Sequence, residues 1–135
     1  MLLALVLGQP ASDAYAGTWI AELAGSNYVR LELTVTAGTL GGRISLGDIH
    51  VDAAGVVDTV LAPPHSVTPV FDVERREGGL LFARKNDDDI EHFEIRLLGR
   101  GDAELVFRPT DAERQQLADN GIPMPKPIRL KRVVP

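Results

Sequence analysis

Residues 17–36, GTWIAELAGSNYVRLELTVT, constrain this chain more than any other stretch. In the second half Val29, Leu31, Leu33 and Val35 alternate with Arg30, Glu32 and Thr34. Successive side chains of a strand point to opposite faces, so such a segment buries one face and wets the other. The first half carries Trp19, the only tryptophan, on the parity of Ala21 and Leu23. Together the halves read as an antiparallel hairpin, and a hairpin needs further strands to cover its apolar face.

The sequence supplies them. Residues 40–51 read as a strand in two pieces, Ile44 with Leu46 and Ile49 with Val51, changing parity at Gly47 and Asp48 as a bulge would. Strands follow over 56–61, 66–74, 80–85, 90–98 and 103–108, separated by Gly, Pro, Asn and Asp. Pro69 has no N–H to give a ladder, which places its strand at an edge or at a bulge. Thr110 and Glu113 form a capping box, Asn120 and Gly121 a stop signal, and the helix between them is short. Prolines 123, 125 and 127 then force extended chain into a last strand over 128–134. The expected fold is all-β: an eight-stranded antiparallel up-and-down barrel, one short helix, and a final added strand near the C-terminus. Closure removes the exposed edges that an open sheet must protect.

Several function classes are disfavoured. A net charge of −5 does not suit a protein that tracks phosphates, so no nucleic-acid partner is expected. There is no cysteine, hence no disulfide and no thiolate metal site. Ser45 and Ser66 lie outside any G-x-S-x-G context and have no histidine at a useful spacing, so no catalytic residue and no cofactor is assigned. Lys126, Arg129, Lys131 and Arg132 read as a basic tail balancing an acidic chain. No segment is long and apolar enough to span a membrane. Residues 2–7, LLALVL, followed by Ala14, Tyr15 and Ala16, have the form of an export leader, giving residues 1–16 as a signal peptide or N-terminal extension and 17–135 as the domain. The expected location is therefore secreted or periplasmic.

With those elements in place the chain resembles the lipocalins and the wider calycin group. The resemblance rests on Gly17, Thr18 and Trp19 in the first strand and on the acidic turn Asp87, Asp88 and Asp89. It also rests on a basic residue at the end of the eighth strand, here Arg108, and on the helix and added strand that follow. The chain is also similar to small lipocalin-like domains of secreted bacterial hydrolases, through Gly17–Trp19 and the closing segment 127–132, PIRLKR. The resemblance implies a non-catalytic domain that binds a small apolar ligand or serves as an interaction or accessory module for a protein partner. It further implies that an arginine, Arg108 or Arg132, stacks over Trp19 to close the barrel. Arg108 has the parity opposite to Leu105 and Phe107, so it reaches the indole only if the strand twists or ends there.

The ligand would be lined by Leu31, Leu33, Phe71, Phe82, Phe93, Ile95 and Phe107, all read as inward-facing, unless these side chains fill the barrel solid. No inward polar residue to orient a ligand stands out. The second reading is a metal-dependent protein or enzyme using His50, His92 and the turn Asp87, Asp88 and Asp89. Its spacing matches no standard cation loop, and no metal-ligand set is assigned.

Overall fold

The computed structural model describes residues 14–133; the apolar run 2–7 of the expected leader lies outside the described residues. Among the described residues ten strands and one helix follow in order: β1 (Gly17–Leu23), β2 (Ser26–Thr36), β3 (Thr39–Leu46), β4 (Asp48–Val51), β5 (Val57–Ala62), β6 (Thr68–Arg76), β7 (Gly79–Asn86), β8 (Asp89–Leu97), β9 (Asp102–Phe107), α1 (Asp111–Asp119) and β10 (Ile128–Arg132). Eight of the strands close a barrel in the order β1-β10-β9-β8-β7-β6-β3-β2, every neighbouring pair antiparallel. The eight-stranded antiparallel barrel, the short helix and the strand after it are as the sequence predicts.

The staves are distributed differently. The expected bent strand over 40–51 divides at Gly47 into β3 and β4, and β4 leaves the barrel to pair with β5 in a separate hairpin. The eighth stave is β10, which joins β9 on one side and β1 on the other. Ile49, Val57 and Val60 of the hairpin pack against the core, so the hairpin remains part of the same hydrophobic unit.

Two-residue turns set most of the registers. Ala24 and Gly25 (φ 52° and 82°) join β1 to β2, and Ala37 and Gly38 (φ 53° and 80°) join β2 to β3. Paired positive φ values match the right-handed twist of the flanking strands. At Gly42 the strands approach so closely that a Cβ would lie 1.8 Å from the carbonyl oxygen of Glu32. Only glycine fits there.

The interior is one apolar cluster. Trp19, Leu31, Leu33, Ile44, Leu80, Phe82, Phe93, Ile95, Leu105 and Leu130 are all essentially inaccessible to solvent. Phe82 and Phe93 stack at 5.5 Å between ring centroids, and Phe93 meets Phe107 at 5.4 Å. Aromatic pairs at this spacing add to the hydrophobic gain of burial. Phe71 corrects the expected inward set. The register places Val70 opposite Arg84 and Phe71 opposite Ala83, so it is Val70 that joins the core. A slip between Phe71 and Glu74, with Asp72 at φ 53°, then lets Val73 pack inward as well. Pro69 accordingly sits not at a sheet edge but in a β3–β6 seam of only two registered pairs.

The two ends of the barrel differ. One end holds both termini of the barrel and is closed by Trp19 and Arg132. These two residues pair across β1 and β10, and the guanidinium carbon lies 4.3 Å from the ring centroid. Trp19 Nε1 donates to the carbonyl of Tyr15 at 3.0 Å, and Arg132 donates to the carbonyls of Ala14, Ala16 and Arg100. Of the two arginines proposed for this role, it is Arg132 that fills it. The other end carries the β7–β8 turn, the β4–β5 hairpin and α1. There the amide of Lys126 donates to the carbonyl of Gly55 at 2.9 Å, tying the hairpin to the segment between α1 and β10.

Candidate functional site

The helix starts where the sequence says it should. The Thr110 hydroxyl accepts from the Glu113 amide at 3.2 Å, and the Glu113 carboxylate accepts from the Thr110 amide at 2.7 Å. None of its residues is buried. A cleft of about 390 Å³ lies between it and the β8–β9 side of the barrel mouth. Glu113, Gln116, Leu117 and Asn120 line that cleft from the helix. Their spacing of three, four and seven residues puts them on one helical face. Ile122, Met124 and Pro125 form a second wall, and Phe107, Pro109, Glu91 and His92 the barrel side. Apolar walls with a few polar groups, at a volume within about 300–1,000 Å³, are the usual character of a small-molecule site.

Below the rim two charged side chains point inward. Arg84 has the parity of Leu80 and Phe82, and Glu91 that of Phe93 and Ile95; they face each other across β7 and β8. Arg84 Nε donates to Glu91 Oε1 at 2.7 Å, with the Arg84 side chain only 8% exposed and Glu91 33%. Among the described residues this is the only hydrogen bond of the Arg84 guanidinium. A buried arginine is tolerated when a carboxylate balances it. The expectation that no polar residue faces inward is therefore corrected. The parity of these two strands carried the signal, in an arginine and a glutamate that continue the apolar alternation toward the turn.

The outer face of β7 and β8 carries a second feature. Here an open trough of about 760 Å³ runs past Leu81, Ala83, His92, Glu94, Arg96 and Arg108. Glu94 is almost wholly buried, and Arg108 and Arg96 both donate to it, Arg108 through Nε at 2.9 Å. Burial pushes the Glu94 carboxyl up, but hydrogen bonds and charge from Arg108 and Arg96 outweigh it and hold it below the usual carboxylate range. Gly79 makes room for this carboxylate, since a Cβ there would lie 2.0 Å from Glu94 Oε2. Arg108 is thus committed to the outside of the barrel rather than to Trp19, because Phe107 before it faces inward.

The other sequence candidates are dispersed. Leu31, Leu33, Phe82, Phe93 and Ile95 are core residues, and Phe107 alone of the expected ligand-lining set borders the mouth cleft. His50 lies on β4 and bonds Asp58 at 2.7 Å, which with its own desolvation partly opposing draws the Asp58 carboxyl down. Asp87 and Asp88 form the two-residue β7–β8 turn. No three His, Asp or Glu side chains converge to hold a metal ion among the described residues, so the second reading finds no ligand set. His92 lines both clefts, and its Nδ1 is buried without a hydrogen-bond partner among the described residues. No described helix is long and apolar enough to cross a membrane.

No protein-family model, curated protein or solved structure matches the chain. The barrel itself, eight-stranded, closed and antiparallel, is compatible with the lipocalin plan.

Proposed function

We propose that this chain is a non-catalytic binding module that takes a small, largely apolar molecule at the mouth of its barrel. The observation that carries the reading is the mouth cleft, where apolar walls from Phe107, Leu117, Ile122 and Met124 meet a small polar set. The barrel axis is occupied by stacked phenylalanines and aliphatic side chains, the filled alternative of the two the sequence left open, which favours binding at the end rather than in the interior. A lipocalin-like accessory role outside the cytoplasm belongs to the same proposal, supported by the leader-like residues 2–7.

The test is titration of the full chain with the neutral dye N-phenylnaphthylamine. Saturable one-site fluorescence enhancement is expected, abolished in a Leu117→Trp variant whose melting temperature is unchanged. Leu117 stands on an unburied helix, so filling the cleft there leaves the barrel intact. Enhancement that never saturates, or that survives the filled cleft, overturns the reading.

A further inference from the structure

The charges around the mouth cleft are unbalanced, and the imbalance has a sign. Among the described residues its only charged lining groups, histidine aside, are the carboxylates of Glu91 and Glu113. Arg84 neutralises Glu91 from behind at 2.7 Å. Glu113 has no cationic partner within ion-pair distance among the described residues; its carboxylate accepts only from the backbone amide of Thr110. The neighbouring cations are not on the cleft wall. Arg108 is bound to Glu94, while Arg114 and Lys126 are adjacent in sequence to lining residues but do not line the cleft.

We infer that the mouth cleft selects amphipathic cations, with the hydrocarbon against Phe107, Leu117, Ile122 and Met124 and an ammonium or similar head near Glu113. This rests on the proposed binding role of the cleft and gives it a ligand class. The physical reason is charge complementarity in a partly enclosed, apolar surround. There an ammonium gains an unpaired carboxylate, a carboxylate head meets repulsion from it, and a hydroxyl gains only hydrogen bonds.

Three ligands of matched chain length separate the possibilities: octylammonium, octanol and octanoate, titrated into the full chain by calorimetry at low and at high salt. The expected order is octylammonium, then octanol, then octanoate, with the cation ahead of the alcohol by roughly two- to five-fold, a margin that salt reduces. Glu113→Gln keeps the capping box, because glutamine serves at that position, and should weaken octylammonium by about two- to five-fold while leaving octanol unchanged. If octanol binds but octylammonium binds no better, or octanoate binds best, this inference is overturned and the binding role stands. If none of the three binds, both fall together.

Discussion

At the scale of single residues the energetic centre of the outer face is Glu94. A carboxylate held below its ordinary value contributes stability above the unfolded value, near 4.5, and loses it as pH falls through the lower folded value. The protein should therefore weaken on acidification from about pH 5 downward, and Glu94→Gln should flatten that limb. At neutral pH the same substitution should destabilise by about 1–3 kcal/mol, because two arginines lose the charge they donate to. Urea midpoints measured at a series of pH values for both proteins decide this. Parallel acid limbs would place the acid sensitivity at other groups. Glu32, whose carboxyl is also drawn down, mainly by the hydrogen bond from Arg43, lies at the surface and should add little.

At the scale of elements, the β7–β8 hairpin separates what a turn does from what it resembles. Asp87 and Asp88 form the turn and Asp89 begins β8, with Asp87 at φ 56°. Asparagine tolerates that conformation as well as aspartate does. Replacing Asp87, Asp88 and Asp89 together by asparagine should change stability by no more than about 0.5 kcal/mol per site. Thermal melts with and without calcium provide the check, and a large loss restored by calcium would reveal a cation site after all. Element identity was readable throughout this region because turn chemistry and alternation agree. The same alternation misleads in β6, where Pro69 and the slip at Asp72 put Val70 rather than Phe71 into the core. A bulge exchanges the two faces of a strand, and its position depends on the partner strand as well as on the sequence.

At the scale of the whole molecule, closure depends on contacts between the two ends of the chain. β1 and β10 share two registered pairs, Trp19 with Arg132 and Ile20 with Lys131. Arg132 reaches past them to the carbonyls of Ala14 and Ala16, and the Trp19 indole to that of Tyr15. A chain beginning at Gly17 should therefore be less stable than one beginning at Ala14, by about 1–3 kcal/mol for buried donors left unpaired. Denaturant unfolding of the two truncations gives the difference directly, and equal midpoints would mean that residues 14–16 do not contribute to closure. If this segment closes the barrel, a leader cut after Ala16 would remove part of the fold.

The sequence by itself determined the strand grammar, the capped helix and the closed antiparallel barrel. Each of these follows from local periodicity, local turn and cap chemistry, or strand count, whereas the pairing of a tryptophan with an arginine was implied only by the lipocalin resemblance. Which arginine stacks on Trp19, which strand closes the barrel, and where the cleft lies were decided only by tertiary structure. Arg108 and Arg132 both end strands near the C-terminus, and only the register of β9 and β10 turns the first outward onto Glu94 and the second over the indole. The cleft is assembled from one face of α1, the loop after it and the ends of β8 and β9. These pieces are distant in sequence and share no pattern, so their meeting is a property of the folded chain alone.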